Sequence, residues 1–228
     1  MQNLLRNFKV VIHEKLYLKD PETSELGKKI VGESILLIDE IGFESFTFKK
    51  LGARISSNES SIYRYFENKH KLLLYLTSWY WGWMEYKLVF QTANIANLNV
   101  RLKKAIEVLS EEIQEDTNIS HVNEKILNAI IINEYSKSYL TKEVDHENKE
   151  GYFAIYKRLV GRFETIIQEA QPNYVFAASL ASTVIEGVLH QHFLKQHFPS
   201  LTTCNKHTAP QQFFTDLVFS TLNLKEYE

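Results

Sequence analysis

Residues 43–73, FESFTFKKLGARISSNESSIYRYFENKHKLL, decide how the rest of the chain is read. Thr47 is a good N-cap, since its hydroxyl can accept an unpaired backbone N–H of a following first turn. Phe48, Leu51 and Ile55 then recur on one helical face while Lys49, Lys50 and Arg54 point elsewhere, which predicts a helix over 47–55. Ser56, Ser57 and Asn58 interrupt it with side chains that compete for backbone hydrogen bonds. Asn58 is the natural cap of a second helix over 59–66. Only Ile62 and Phe66 form an inward i, i+4 pair there, leaving Ser60, Ser61, Tyr63, Arg64 and Tyr65 outside. Asn68 caps a third helix that carries Lys69 in its first turn.

A short helix that buries two side chains and displays hydroxyls, phenols and a guanidinium makes poor core. It suits the second helix of a helix-turn-helix, the one that enters a DNA groove. Between 47 and 71 there are six basic residues (Lys49, Lys50, Arg54, Arg64, Lys69, Lys71) and two acidic ones (Glu59, Glu67). The difference is a local charge of +4 in a chain of −2 overall, placed where a phosphate-binding surface would lie. We therefore expect Asn58, Glu59, Ser60, Ser61, Tyr63 and Arg64 to face the major groove, and Thr47, Tyr65 and Lys69 to hold phosphates.

Residues 30–73 resemble the DNA-binding domain of the tetracycline-repressor (TetR/AcrR) family of bacterial regulators. The resemblance is carried by Ile41-Gly42-Phe43 closing a first helix, Phe46-Thr47-Phe48 opening a second, Ile62-Tyr63-Arg64-Tyr65-Phe66, Asn68-Lys69 and Leu72-Leu73. The family usually has Gly-Val where this chain has Ser56-Ser57, and often a basic residue where it has Glu59. A carboxylate at 59 would repel phosphate but can accept from a cytosine amino group. The resemblance implies an all-α protein: a three-helix helix-turn-helix domain, then a larger helical domain for ligand binding and dimerisation. It also implies a pseudo-palindromic double-stranded DNA operator and a homodimer through the last two helices, at about 174–198 and 210–225. A small-molecule effector of unknown identity, apolar or aromatic in character, completes that picture, with binding of the effector relieving repression.

Composition agrees with such a chain. Hydrophobic residues are 44% and charged residues 24%, ordinary for a globular protein, and the near-zero net charge confines any nucleic-acid contact to a local patch. Few glycines and prolines favour helices over strands and turns. The single Cys204 excludes an intramolecular disulfide and fits a reducing cytoplasm. No apolar run is long enough to span a membrane, and the first residues, interrupted by Arg6, Asn7 and Lys9, lack a signal-peptide core.

Working outward, residues 1–24 read as an N-terminal arm with basic residues Arg6, Lys9, Lys15 and Lys19, residues 25–73 as the DNA-binding domain, and 74–228 as the helical second domain. The first long helix, 25–41, has a broad apolar face and ends at Gly42 in a left-handed cap. Further helices are expected from 68 to about 90, and over 100–116, 121–143, 151–170, 174–198 and 211–225, with Pro210 opening the last. Aromatic residues on the central helices (Trp83, Tyr86, Tyr135, Tyr139, Tyr156 and Phe163) are the candidates for a ligand cavity, with core packing as the alternative role. Alanine, serine and glycine in 174–198 permit a close helix–helix approach at a subunit interface.

No catalytic motif is present: GxSxG, P-loop, HExxH and GxGxxG are all absent from the sequence, and neither an enzyme nor a cofactor is expected. Cys204-x-x-His207 with His190, His192 and His197 resembles half of a zinc site but has no second ligand pair, so no metal is expected. The competing reading is a helical protein–protein interaction or scaffold protein that retains the helix-turn-helix shape without reading DNA.

Overall fold

The computed structural model describes residues 10–113, 121–205 and 208–225. Among these there are helices and turns and no strand. The helices are α1 (Glu25–Ser45), α2 (Phe48–Arg54), α3 (Glu59–Tyr63), α4 (Lys69–Thr92), α5 (Leu98–Ser110) and α6 (Glu124–Glu134). They continue with α7 (Ser136–Tyr139), α8 (Val144–Lys149), α9 (Ala154–Ala170), α10 (Ala177–His197) and α11 (Pro210–Leu222). The chain forms two compact units: Met1–Tyr80 with Ile113–Ala154, and Trp81–Glu112 with Ile155–Glu228.

In the first unit, Ser24 caps α1 by accepting the Gly27 N–H at 3.1 Å. The helix buries Ile30, Val31, Ile35 and Ile38. At Gly42 the backbone turns to φ 74°, ψ 154°, a conformation essentially restricted to glycine. It therefore interrupts α1 rather than ending it in a left-handed cap, and one more turn follows to Ser45. The segment 113–154 packs on this same unit. Glu134 Oε1 accepts from the Phe43 N–H at 3.3 Å, and Tyr80 donates to Asn128 at 2.8 Å. His70 meets the buried Glu147 at 2.8 Å, and Glu22 meets His121 at 2.9 Å.

Several expected boundaries move, for local reasons. The helix expected over 121–143 is interrupted at Tyr135, whose carbonyl is taken by the Ser138 hydroxyl at 2.6 Å and the Ser138 N–H at 2.9 Å, a side chain competing with the helical ladder. The expected polar connection at 145–150 contains the short helix α8. Gly151, at φ 89°, delays α9 to Ala154. The fifth helix starts at Leu98, earlier than expected, because Asn97 accepts the Val100 N–H at 3.0 Å, and it ends at Ser110. The expected loop at 117–120, and Arg6 and Lys9 of the arm, lie outside the described residues.

The second unit packs α5, α10 and α11 on one another. Leu102, Ile106, Leu159, Phe163, Val184 and Val218 are buried in it. A Cβ at Gly187 would come within 3.0 Å of the Phe214 ring, so that glycine sets how closely α11 lies on α10. His192 is buried and its Nε2 donates to the Ser110 carbonyl at 3.2 Å. None of the helices, among the described residues, is long and apolar enough to cross a membrane.

This packing can be tested at two places. In α2, a Cβ at Gly52 would lie 2.9 Å from the Ser57 carbonyl and 3.3 Å from the Glu59 nitrogen, both backbone atoms of the α2–α3 turn. Gly52→Ala should cost about 1–3 kcal/mol in chemical denaturation. Ser56 sits at φ 56°, so Ser56→Gly should be neutral or stabilising by up to about 1 kcal/mol. The second place is His192. Burial pushes its pKa below the ordinary 6.5, outweighing the Ser110 hydrogen bond and the nearby Glu112, with Lys195 acting in the same direction as burial. Below pH 6.5 the unfolded chain then takes up a proton that the folded chain refuses. Stability is lost as pH falls from that value through the lowered folded pKa. Thermal melts across this range should show a decline that His192→Gln flattens.

Candidate nucleic-acid interface

The site is built on α2 and α3. Thr47, exposed, caps α2 by accepting the Lys50 N–H at 3.2 Å. Phe48 and Leu51 anchor the helix in the core. Arg54 fixes its far end to α1, with Nε on Glu33 and Nη1 on Glu40, each at 2.6 Å. Asn58 then organises the start of α3: its Oδ1 accepts the Ser61 N–H at 2.8 Å and the hydroxyls of Ser60 at 2.8 Å and Ser61 at 2.7 Å. Ile62 and Phe66, both fully buried, hold the helix down. The helix itself ends at Tyr63, shorter than the expected 59–66. Five residues cannot persist as a free helix, so its shape is imposed by these contacts.

Asn58, Ser60, Tyr63 and Arg64 are exposed, and Glu59 and Ser61 are half-buried. Tyr63 is oriented by an edge-to-face contact with Phe48, ring centroids 5.0 Å apart, and keeps 47% of its surface exposed. Arg64 carries no ion pair among the described residues, and neither does Lys49. These side chains are accessible for contact with base edges and phosphates.

Two expected phosphate ligands are engaged elsewhere. Tyr65 is only 3% exposed. Its hydroxyl pairs with Ser24 at 2.8 Å, its carbonyl accepts the Leu18 N–H at 2.7 Å, and Lys19 lies 5.1 Å above its ring. Lys69 directs its ammonium into the carbonyl end of α1, reaching Phe43 O and Glu44 O at 3.1 Å and Phe46 O at 3.5 Å, over the Phe43 ring. The cation that the sequence pattern assigned to phosphate instead adds a donor to carbonyls at the negative end of a helix. Other charges are also engaged locally: Lys71 lies 3.7 Å above the Tyr152 ring, and Arg54 is matched by two carboxylates. The local +4 therefore narrows to Lys49, Lys50 and Arg64 as the cations with accessible heads, Lys50 also donating to Ser45 O at 2.8 Å.

The six aromatic candidates for an effector cavity do not form one wall. Tyr135 and Tyr139 pair with each other in the first unit, centroids 4.8 Å apart. The other four belong to the second unit. There Phe163 is fully buried, Trp83 is buried beneath Lys87, and Tyr86 stacks on Phe90. Tyr156 packs on Trp81 and donates to Glu186 at 2.7 Å. Trp83, Tyr135 and Phe163 are buried, and Tyr86, Tyr139 and Tyr156 are half-buried. The second unit has instead a cleft of about 360 Å³ bordered by Leu88, Thr92, Arg101 and Arg162, residues that a search for aromatic enrichment passes over. No cluster of metal-ligating side chains occurs among the described residues; His207 lies outside them.

Residues 32–76 match the family model described as bacterial regulatory proteins, tetR family. The overall fold is similar to that of AibR, solved in complex with isovaleryl coenzyme A and operator DNA. The TM-score is 0.57 at 18% identity, over 87% of this chain and 100% of that one. A tetR-family regulatory protein from Rhodococcus RHA1 gives 0.60 at 13% identity, over 88% and 97%. The superantigen PfiT also gives 0.60, at 14% identity, over 89% and 97%. At such identities the likeness is one of fold, and the DNA-binding assignment rests on residues 32–76. No curated protein matches the chain by sequence.

The different placements of Arg64 and Lys69 separate by experiment. Arg64→Ala should leave stability unchanged and lower DNA affinity about tenfold, and the slope of log K against log salt should become shallower by about 0.9 for each phosphate that an Arg64 neutralises in the bound assembly. Lys69→Met should cost about 1–2 kcal/mol of folding stability while leaving the salt slope of the remaining folded protein intact. Denaturation and binding titrations on both variants check the pair.

Proposed function

We propose, from the premise that this chain belongs to the tetR family of bacterial regulatory proteins and is a DNA-binding transcriptional regulator, that it is a cytoplasmic homodimeric repressor released from its operator by a small molecule. The observation that carries the DNA-reading part is α3: a five-residue helix held by Ile62, Phe66 and the Asn58 cap, with Tyr63 and Arg64 exposed beside it. Such a helix arrives at the groove already ordered, so binding need not supply the free energy of its folding. Glu59 and Arg64 can discriminate bases, accepting from cytosine and donating to guanine respectively. Thr47, Lys49 and Lys50 set the register on the phosphates.

Dimerisation through α10 and α11 is supported by what those helices leave uncovered. Ala178, Ser179 and His190 are exposed on α10, and Phe213 on α11 is 40% exposed. Small residues along one helix allow a partner helix close approach, and an exposed phenylalanine gives it apolar surface. Two-fold pairing would present two α3 helices to two half-sites about one helical turn apart. Binding of a small molecule is supported by the similar protein AibR, which is solved with isovaleryl coenzyme A; that structure also holds operator DNA, so it supports a ligand site and not release. Release requires that the ligand bind more tightly to a conformation whose two α3 helices no longer match the half-site spacing.

The direct test is binding of the purified protein to the DNA upstream of its own gene, beside the double variant Tyr63→Ala/Arg64→Ala. The wild type should bind as a dimer and weaken steeply between about 50 and 200 mM salt, by about 10³-fold if six phosphates are contacted. The variant should remain dimeric and lose binding. A folded dimer that binds neither this DNA nor any genomic fragment selected at low salt would overturn the reading.

A further inference from the structure

The cleft of the second unit differs from an ordinary apolar pocket in its charge. It is bounded by the end of α4, the beginning of α5 and the middle of α9. Leu88, Val89 and Ile166 supply apolar surface, and Thr92, Arg101 and Arg162 supply polar groups. No carboxylate lines it among the described residues. Its two guanidiniums are braced from behind: Arg101 by Glu169 and Arg162 by Glu85.

The bracing is unequal. Glu85, on α4 and 9% exposed at its side chain, is shared by two arginines. It accepts from Arg162 Nε at 2.6 Å and from Arg158 Nη2 at 2.8 Å. Burial disfavours its ionisation, but the hydrogen bonds and charges of the two arginines outweigh that and hold its pKa below the usual range. One carboxylate against two guanidiniums leaves one positive charge uncompensated. Arg162 donates only through Nε among the described residues, and its side chain is half-exposed, so its two terminal nitrogens remain for another acceptor. A guanidinium fixed by one edge and open at the other is prepared for bidentate binding of a planar or tetrahedral oxyanion.

The geometry points to an amphiphilic organic anion as the molecule this cleft takes: a carboxylate or phosphate head on Arg162, and a short apolar body against Leu88, Val89 and Ile166. This rests on the reading above that the chain responds to a small molecule, and names its chemical class. A purely apolar ligand would strip water from Arg162 without replacing its hydrogen bonds, which is costly. A polyanion would exceed the single uncompensated charge. The volume lies within the range of about 300–1,000 Å³ typical of small-molecule sites.

Calorimetric titration of the full-length protein with butyrate, hexanoate, octanoate and octyl phosphate, beside octan-1-ol, tests the assignment. Saturable binding is expected for at least one of these anions, strongest for the longer chains, and none for the alcohol. Whether octanoate or octyl phosphate binds more tightly assigns the head group. Arg162→Gln, which leaves Glu85 paired with Arg158, should weaken binding about tenfold. Ala93→Trp, which fills the cleft from its rim, should abolish it, and decides the matter if Arg162→Gln does not fold. Octan-1-ol binding as well as octanoate, an affinity unchanged in both variants, or no anion binding to a protein that does bind its operator would overturn the assignment. Failure of operator binding would instead count against the regulator reading, since the titration reads the cleft without DNA.

Discussion

The ammonium of Lys69 is the contact on which the N-terminal part depends. The first helix is interrupted at Gly42 and runs out at Ser45, so the carbonyls at its end are short of helical donors, that of Phe43 keeping a 3.3 Å bond from the Phe46 N–H. Lys69, the first residue of α4, places its charge among the carbonyls of Phe43, Glu44 and Phe46. Residues far apart in sequence are thereby joined at the two ends of the segment that contains α2, α3 and their turn. Because the cation answers both these carbonyls and the negative end of a helix, it is an electrostatic clamp as well as a set of hydrogen bonds. The burial of Phe46, Phe48, Leu51, Ile62 and Phe66 then fills the space that the clamp encloses.

The other charges of the motif are used in the same way. Arg54 holds α2 on α1 and Lys71 lies on an aromatic ring; from α1, outside the motif, Lys29 adds a bond to the carbonyl of Ile55 at 3.1 Å. A helix as short as α3 has no stability of its own, so cations that a sequence count assigns to phosphate serve to position it. Fewer accessible cations mean a smaller counterion-release contribution to binding. In the proposed mode of binding, discrimination then falls more heavily on Tyr63, Arg64 and Glu59. The turn shows a related compromise: Ser56 occupies a left-handed backbone position where the family usually places glycine. Its strain of about 1–2 kcal/mol is borne by the packing on either side.

The helices and their caps were legible because each has a local cause. Thr47 and Asn58 accept the backbone N–H groups that their positions suggest, and Asn97 does the same for α5. The inward positions of α2 and α3 follow from apolar spacing alone. What was not legible depends on partners distant in sequence. Nothing near Tyr65 announces Ser24, and nothing near Lys69 announces the carbonyls of α1, so both read as exposed polar groups. The aromatic set is a weak guide for a different reason: large rings mark places where much surface is buried, whether or not a cavity is there, and Phe163 and Trp83 are buried.

A binding cleft is better marked by a group whose needs the fold leaves partly unmet. Glu85 lies within the aromatic run of α4, where a carboxylate has no local reason to be until Arg158 and Arg162, one helical turn apart on α9, are brought to it. From the sequence, Glu85, Arg158 and Arg162 are three charges on two helices with no stated relation. Once assembled, two guanidiniums on one carboxylate do what an isolated ion pair cannot. A single Arg–Glu bridge is neutral as a pair; with Arg158 and Arg162 on one carboxylate, one positive charge is left over. The excess charge is then held in place before any ligand arrives, with its orientation set by a bond to Nε. Selectivity follows from that arrangement rather than from shape: the apolar wall accepts many bodies, while the fixed guanidinium admits those that bring an oxyanion to it.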